Sequence, residues 1–402
     1  MPDSITQNFV RHQAQHLHVS PLLAAISAQA VDADRTRNIS PEVIHSIKQS
    51  NVMRLSAGRE IGGLEASVVD IGRELEAVSA ACTSTAWCLW NHICVFHFYC
   101  GLLGPERRTL LQNIVEDHHW VSLPAGAGTS IQGHIKGDQL ILNGEAAFGS
   151  GARYGEWAGV TFRLKNDDDT SADVKFVIIR TDAPGVRIEP TWNGMSVRAS
   201  ATDHIFYEDA AVPLDRMVDF SLKYRTKFRQ TDYPMLNHRY REDWVAFSDM
   251  WLGAMAVGLA QAALDETCAG IQERIAIMGV KMVQRPTIHV NLGQAGAMIS
   301  TARAAVYDVC AETDRRIEAG EIPTEADYLR QLAGSMMAIK CCDDAMRLIL
   351  RVLGGNGLRE SAAFERRYRD FQAMPLHINV HQDRVSEQVG RHLLGLDTEN
   401  PF

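Results

Sequence analysis

The stretch Arg369-Asp370-Phe371-Gln372-Ala373-Met374-Pro375-Leu376-His377-Ile378 decides the interpretation of this chain, because it follows a helical pattern ending at Leu353-Gly354-Gly355-Asn356-Gly357. Glycine directly after a helical pattern predicts the end of that helix. No acidic residue stands between Asp370 and Asp383. The first side chain after Asp370 that titrates near neutral pH is therefore His377.

Helical patterns dominate the chain upstream of this stretch, back to residue 243. Apolar residues recur at helical spacing over 243–264, 291–315 and 324–353. Alanine is abundant in these patterns, and small side chains permit close antiparallel packing. We predict three long, closely packed helices in this part of the chain.

The middle of the chain has a different texture, with short runs of alternating apolar and polar residues separated by turn signals. The runs lie at 139–144, 174–179 and 186–188. Asn143-Gly144 is a strong signal for a tight turn, and Asn166-Asp167-Asp168-Asp169 predicts a polar hairpin loop. We predict a small all-β domain here.

The first third of the chain is predicted to be helical. Ser40-Pro41-Glu42 supplies a capping serine and a proline at the first helical position, and Gly104-Pro105-Glu106-Arg107 opens another helix. The order of helices, strands and helices predicts an α+β chain that is mostly α. We divide it into a helical domain at 1–117, a β domain at 118–222 and a helical domain at 223–402, with 223–238 as the connector.

Composition excludes some classes of function. A net charge of −9 spread over 402 residues argues against a sequence-independent nucleic-acid binder. The richest apolar run, 87–103, is interrupted by polar residues, so we expect no membrane span. Met1-Pro2-Asp3-Ser4 lacks the basic and apolar parts of a secretory signal, so we expect a cytoplasmic protein.

Four cysteines recur every six residues, at Cys82, Cys88, Cys94 and Cys100. Six steps of about 100° turn successive members to different faces of a helix, so they cannot converge on one metal ion. We expect buried thiols in a reducing compartment and no metal site.

Four motifs in this order resemble landmarks of the acyl-CoA dehydrogenase superfamily. The resemblance covers nearly the whole chain and implies a helical N-terminal domain, a middle β-barrel and a C-terminal four-helix bundle. The motifs are Leu142-Asn143-Gly144-Glu145-Ala146-Ala147-Phe148-Gly149-Ser150-Gly151, Gly194-Met195-Ser196-Val197-Arg198-Ala199-Ser200 with Val212-Pro213, Leu353-Gly354-Gly355-Asn356-Gly357, and Arg367-Tyr368-Arg369-Asp370.

Within the superfamily the chain resembles the oxygenase components of two-component flavin-dependent monooxygenases. The resemblance is carried by Ser84-Thr85-Ala86-Trp87 with Asn91-His92, and by the run from His377 to Asp383. In the dehydrogenases a glutamate soon after the Arg-Asp pair removes a substrate proton, whereas this chain offers His377. The branch implies reduced FAD or FMN from a separate reductase, O2 as co-substrate, a C4a-hydroperoxyflavin, and a homotetramer acting on a small aromatic molecule.

The resemblance also implies roles for individual residues. Ser150 would accept the hydrogen bond of flavin N5, and His377 would act as a base or as a partner of the activated oxygen. The catalytic candidates are thus His377, His92 and Ser150; the cofactor candidates are Phe148, Gly149, Ser150, Arg274, Gly354 and Gly355; the substrate candidates are Trp87, Asn91, Phe96 and His381.

Alternatives remain open at this point. His92 is also interpretable as a core histidine, and His381 could exchange roles with His377 if the segment between them is helical. An acyl-CoA dehydrogenase using Glu266 or Glu273, S- or N-oxygenation by the same chemistry, and a non-catalytic scaffold are the competing functions. The absence of a Gly-x-Gly-x-x-Gly turn after a strand indicates no nicotinamide site.

Overall fold

The computed structural model describes residues 17–126, 129–165, 174–220 and 228–398. The predicted polar loop at 166–169, the start of the connector at 223–227 and the N-terminal four residues lie outside the described residues. The order of helices, sheet and helices is as predicted.

Five α-helices form the described part of the N-terminal region, from residue 17 onward. Ser40 caps the second of them by accepting a hydrogen bond from the Val43 amide, as its position before Pro41 predicts. The helices are α1 (Leu23–Thr36), α2 (Pro41–Lys48), α3 (Val68–Ala81), α4 (Thr83–Leu103) and α5 (Arg108–Glu116).

Helix α4 is buried on every side, and Asn91 is the one residue in it that is not fully buried. By length and composition α4 and the later helix Trp244–Gly270 could each cross a membrane, which corrects the expectation that no apolar run is long enough. Inside the protein, 94% and 89% of their most apolar windows are buried. Their apolarity is therefore explained by packing in the core.

The middle domain is an eight-stranded sheet with the path β6-β7-β3-β2-β4-β5-β8, and β1 pairs with β4. Among the described residues no pairing joins the end strands β6 and β8, so the structure shows a sheet without the closure of a barrel. The strands are β1 (Val121–Ser122), β2 (Ser130–Lys136), β3 (Gln139–Gly149), β4 (Trp157–Leu164), β5 (Val174–Arg180), β6 (Val186–Glu189), β7 (Asp203–Pro213) and β8 (Val218–Asp219).

The tight turn predicted at Asn143-Gly144 is wrong, because both residues lie inside β3. The pairing of β3 with β7 shifts register there, and the Asn143 side-chain oxygen accepts the Asp209 amide of β7 at 2.9 Å. Gly144 has φ 131°, and a Cβ on it would meet the Ser130 carbonyl oxygen at 2.0 Å. Asn-Gly here forms a bulge that lets β2 approach closely, while the β2–β3 turn falls at Gly137-Asp138.

The three long C-terminal helices are confirmed as α6 (Trp244–Gly270), α7 (Pro286–Ala319) and α8 (Glu325–Leu353). Thr324 and Asp327 form a reciprocal capping box at the start of α8, and Gly354 ends that helix with φ 60°. Two shorter helices follow, α9 (Ala363–Phe371) and α10 (Gln382–Leu393). Val385 of α10 lies in one apolar cluster with residues from the first turns of α6 and α8.

Helices from both ends of the chain share one hydrophobic core, whereas most of the sheet's inner face forms a second. Phe98 of α4 joins the three regions, because its ring contacts Phe176 of β5 at 5.2 Å and Trp244 of α6 at 5.1 Å between centroids. This junction fixes α4 against the sheet, so the side chains of its first two turns face the end of β3.

Candidate active site

Trp87 and Ser150 bring helix α4 and the end of strand β3 together. The indole Nε1 of Trp87 donates a hydrogen bond to the Ser150 hydroxyl oxygen at 3.0 Å. Both side chains are buried, with 6% exposed. Because an indole N–H is a donor only, this contact always uses one lone pair of the serine oxygen.

A chain of hydroxyl groups continues from Ser150 into the sheet. Ser150 Oγ lies 3.1 Å from Thr202 Oγ1, which lies 2.6 Å from Ser200 Oγ. Gly151 donates its amide to the Ser200 carbonyl at 2.9 Å, so the two segments are also joined through the backbone. Sequence reasoning missed Thr202, although the polar run Ser200-Ala201-Thr202 before a strand was a visible signal.

His377 lies beside the same indole. Its ring stands edge-on to Trp87 at 5.9 Å and to Trp90 at 5.0 Å between centroids, with interplanar angles of 73° and 83°. The structure therefore brings Ser150, Trp87 and His377 into one cluster, which we call the indole cluster together with Trp90 and Thr202.

The protonation of His377 follows from its surroundings. Burial lowers the pKa of His377 to about 4, with a smaller contribution from the positive charge of Arg384, although the residue as a whole is half-buried. Nδ1 accepts the Asn379 amide at 3.4 Å, which favours the neutral tautomer with its proton on Nε2. No protein partner of Nε2 is recorded in the described part of the chain.

Two further residues orient His377 and were not identified from the sequence. The Ser248 carbonyl accepts the Trp90 indole N–H at 2.9 Å, and its hydroxyl lies 3.4 Å from the Asn379 side-chain nitrogen. Ser248 thus connects the ring that faces His377 with the residue that donates to it. Nothing in the spacing of 248 and 379 indicates this contact.

Phe148 is placed differently from the other aromatic candidates. It is 47% exposed, its backbone is left-handed with φ 61°, and its ring meets Trp192 at 6.2 Å. A bulky residue in this conformation is strained, and such strain concentrates at sites that hold ligands. Phe148 and Gly149 therefore present the approach to Ser150 from the accessible side.

The geometry does not support His92 and Phe96 as site residues. His92 Nδ1 accepts the Val121 amide and Nε2 donates to the Met53 carbonyl, each at 3.1 Å, so no nitrogen is left for a substrate. Burial lowers the pKa of His92 to about 4. Phe96 is 2% exposed and stacks on His92, because nine helical steps place it about 180° from Trp87.

Asn91 remains on the same face of α4 as Trp87, about 40° away. Its side-chain oxygen is buried without a hydrogen-bond partner among the described residues. A buried amide oxygen without a partner is costly, and this one is available to a ligand.

Within a single chain, the remaining candidates lie apart from the indole cluster. His381 directly precedes α10 and its side chain makes no capping hydrogen bond. A short 3-10 turn at Ile378–Val380 separates it from His377, so the two do not lie one α-helical turn apart and the exchange of roles loses its basis. Arg274 lies half-buried in the loop after α6, and Gly354 and Gly355 are exposed at the end of α8. No contact from these residues to Ser150 or His377 is recorded within the described ranges.

The two glutamates of the dehydrogenase alternative are both engaged elsewhere. Glu266 accepts two hydrogen bonds from Arg367, at 2.6 and 2.8 Å. Glu273 pairs with Lys281 at the surface, and its side chain is 86% exposed. Neither carboxylate belongs to the indole cluster.

Thiols and cavities add nothing to the cluster. Cys82, Cys88, Cys94 and Cys100 are buried as expected, and burial raises the pKa of each thiol. Among the residues that the structure describes, no group of His, Cys, Asp or Glu could hold a metal ion. A cavity of about 730 Å³ opens near His18 and Arg239, and none of its lining residues belongs to the cluster.

Two family models match the chain. Residues 124–210 match the acyl-CoA dehydrogenase middle domain, and residues 250–382 match the acyl-CoA dehydrogenase C-terminal domain. Together these segments contain Phe148, Ser150, Thr202 and His377.

Curated relatives include both hydroxylases and dehydrogenases at equal distance. The chain is 24% identical to the "Pigment production hydroxylase" of Rhodococcus sp. (strain ATCC 21145), covering 96% of this chain and 97% of the relative. It is also 24% identical to the "Probable acyl-CoA dehydrogenase YngJ" of Bacillus subtilis (strain 168), covering 87% and 89%. Identity alone therefore does not separate the two activities.

A solved structure shares the whole fold. "XiaF from Streptomyces sp. in complex with FADH2 and Glycerol" superimposes with a TM-score of 0.87 at 19% identity, covering 96% of each chain. At this identity the likeness concerns the fold, and the chemistry depends on the residues of the indole cluster.

Proposed function

Because the chain belongs to the acyl-CoA dehydrogenase superfamily, among the oxygenase components of reduced-flavin-dependent monooxygenases, we propose that it hydroxylates a small aromatic molecule. The proposed substrate is a phenolic or indolic ring, and the proposed cofactor is FAD or FMN that a separate reductase delivers in reduced form. We further propose a cytoplasmic homotetramer. The exposed apolar side chains of Leu376, Leu393 and Leu394 support an assembly of copies.

The observation that carries this proposal is the indole cluster itself. A neutral histidine stands edge-on to two tryptophans, one of which donates to a serine at the end of β3. The cluster contains no carboxylate that could remove a proton from carbon. Oxygenation of an electron-rich ring requires a dry, aromatic site and no such base.

The residues present fit a flavin. A ring system with polar edges and apolar faces needs a hydrogen-bonding group at its reactive edge and flat side chains beside it. Ser150 has hydrogen-bonding capacity left after its contacts with Trp87 and Thr202, and Phe148 is exposed beside it. Ser150, Gly149 and Phe148 would hold the ring, while Arg274 and the glycines at 354–355 would contribute from another copy of the chain.

Reduced flavin would supply the electrons that let one atom of dioxygen enter the substrate while the other leaves as water. The chain's own contribution is to exclude water and to place a proton. With Nδ1 accepting from Asn379, the unpartnered Nε2–H of His377 is a donor. We assign it as a hydrogen-bond donor to an oxygen atom of the substrate or of dioxygen, and therefore not as the base.

The dehydrogenase alternative is weaker on the same grounds. Glu266 would have to abandon Arg367, and Glu273 would have to leave the surface, before either could meet a substrate carbon beside Ser150. Breaking a partly buried arginine pair leaves a charge without a partner, which costs several kcal/mol. S- or N-oxygenation uses the same cluster and differs only in the atom presented to it.

The test is to mix the anaerobic protein with reduced FAD or FMN, admit oxygen and follow the near-ultraviolet absorbance. We expect a band that differs from both reduced and oxidised flavin and persists far longer than in free flavin, with little hydrogen peroxide released. Adding phenols or indoles should then shorten its life and yield a hydroxylated product. Sulfides and amines, tried in parallel, identify the alternative oxygenations.

Three outcomes would contradict the proposal in different ways. Immediate peroxide release without a band rules out an oxygenase. Protein that purifies with tightly bound oxidised flavin, which an acyl-CoA then reduces, indicates a dehydrogenase. No affinity for flavin in either redox state indicates a non-catalytic scaffold.

A further inference from the structure

Ser150 has only one hydrogen-bonding position left for a ligand, and its neighbours decide what that position is. A serine hydroxyl offers one proton and two lone pairs. Trp87 occupies one lone pair with its indole N–H. The contact with Thr202 at 3.1 Å occupies either the proton or the second lone pair, because either hydroxyl can be the donor.

The direction of the Thr202 contact therefore decides whether Ser150 donates a hydrogen bond to a ligand or accepts one from it. If Ser150 donates to Thr202, its remaining position is a lone pair, and it can only accept from a ligand. If Thr202 donates to Ser150, the serine proton is free, and Ser150 can only donate. Thr202 can turn its own proton toward Ser200, whose oxygen is 2.6 Å away, so both directions satisfy the threonine.

The backbone is held in strained conformations on both sides of this contact. Phe148 precedes Ser150 with φ 61°, and Ala201 precedes Thr202 with φ 45°. Val197 has φ 41°, which is a rare conformation for a β-branched residue, and its amide donates to the buried Asp370 carboxylate at 2.7 Å. Such strain persists only where surrounding contacts hold the backbone in place, so keeping these hydroxyls together lowers the stability of the fold.

We propose that Thr202, backed by Ser200, is a positioning residue that sets the direction of the hydrogen bond between Ser150 and flavin N5. The proposal rests on the proposed function. N5 carries a proton in reduced flavin and is a bare acceptor in oxidised flavin, so the two forms require opposite directions along Ser150, Thr202 and Ser200. The hydroxyl chain is neutral and buried, and it can reverse without moving a charge.

The proposal is tested by flavin affinity, which requires no turnover. In Thr202→Val the serine proton loses its acceptor when Ser150 must accept from reduced flavin. Donation to oxidised flavin still uses that proton and leaves only a lone pair of Ser150 without a partner. We expect the ratio of reduced-flavin Kd to oxidised-flavin Kd to rise roughly tenfold, the effect of one unsatisfied buried hydrogen bond. Both constants come from anaerobic titrations with FAD or FMN, and Thr202→Ser, which keeps the hydroxyl, should retain the wild-type ratio.

A double-mutant comparison separates this role from a structural one. In a Ser150→Ala background, Thr202→Val should no longer change the ratio, because no serine proton remains to be directed. If Thr202→Val does not fold, Ser200→Ala should shift the ratio in the same direction by a smaller factor. Wild-type protein that binds neither form of flavin would overturn the proposed function and this proposal with it. An unchanged ratio in a Thr202→Val protein that does bind flavin, or a shift that persists without Ser150, would overturn this proposal alone.

Discussion

His92 and His377 are both histidines beside tryptophan rings, and both have a pKa lowered to about 4. They differ in how their ring nitrogens are hydrogen-bonded. His92 lies inside helix α4 with both ring nitrogens bonded to backbone groups. His377 lies on a short connecting segment with one nitrogen bonded and the other open. The difference teaches that a shifted pKa does not by itself identify a functional histidine. His377 differs from His92 in having an open nitrogen beside the Trp87–Ser150 pair.

The largest effect should come from removing the polar atoms of His92. His92→Phe keeps an aromatic ring but leaves the Met53 carbonyl and the Val121 amide buried without partners. At about 1–3 kcal/mol for each unsatisfied group, we expect roughly 2–6 kcal/mol less stability. Urea and thermal unfolding would measure this loss. A midpoint equal to that of wild type would show that the hydrogen bonds of His92 do not stabilise the fold.

The next largest effect should be a loss of activity with little loss of stability. His377→Ala should bind flavin normally and lose only about 1 kcal/mol of stability, because the one backbone group bonded to its ring, the Asn379 amide, makes a long contact of 3.4 Å. Product formation should fall by roughly a hundredfold or more, the usual contribution of a positioned proton donor, with a matching rise in hydrogen peroxide.

His381→Ala is the matched control and should keep most of the activity. Equal losses in the two variants would show that the site is misassigned.

Acid should destabilise the protein through the same histidines. A histidine whose pKa is lower in the folded state than its usual 6.5 binds fewer protons folded than unfolded, so its stabilisation is present above pH 6.5 and is lost as pH falls toward 4. Each such group contributes about 1.4 kcal/mol per pH unit in that window. Asp370 acts in the opposite direction, because burial raises its pKa to about 6 and its contribution is lost as pH rises from 3.8 to that value.

The histidine contribution can be isolated by comparing wild type with His377→Ala in urea unfolding between pH 7 and pH 4.5. The variant should lose stability less steeply toward acid, since one buried neutral histidine is gone while Asp370 is unchanged. Parallel curves for the two proteins would mean that His377 charges freely in the folded state.

The smallest effect should come from Ser248→Ala. The Trp90 indole bonds to the backbone carbonyl of Ser248, which alanine retains, so only the 3.4 Å contact with Asn379 is lost. We expect a stability change below about 1 kcal/mol and a rate loss of a few-fold through looser placement of His377. A loss as large as that of His377→Ala would mean that Ser248 itself meets the substrate.

Much of this architecture follows from local patterns in the sequence. The cap at Ser40 and the glycine after Leu353 predicted helix ends that the structure confirms, because these signals act within a single turn of chain. Asn143-Gly144 predicted a turn and forms a bulge instead. The reason is not local: the shape of that site is set by the Ser130 carbonyl and by Asp209, which lie on neighbouring strands.

The candidate site divides in the same way. Trp87 and Phe96 were both predicted to bind substrate, although helical spacing places them on opposite faces of one helix. The resemblance to the superfamily was enough to predict roles for Ser150 and His377. It did not find Thr202, Ser248 or Asn379, because each acts across a contact that joins distant segments of the chain. Nor did it decide between the two interpretations of His92, since Met53 and Val121 are far from it in sequence.

The sequence by itself therefore determined the order of helices, strands and helices, the family, and the absence of a carboxylate between Asp370 and Asp383. Those properties depend on periodicity, caps and residue identity, which are written into short stretches of chain. Only the tertiary structure decided that both nitrogens of His92 are bonded while one of His377 is open, and which hydroxyl lies against Ser150. Hydrogen-bond satisfaction is a property of a three-dimensional neighbourhood, and the partners of His92 and Ser150 come from other segments of the chain.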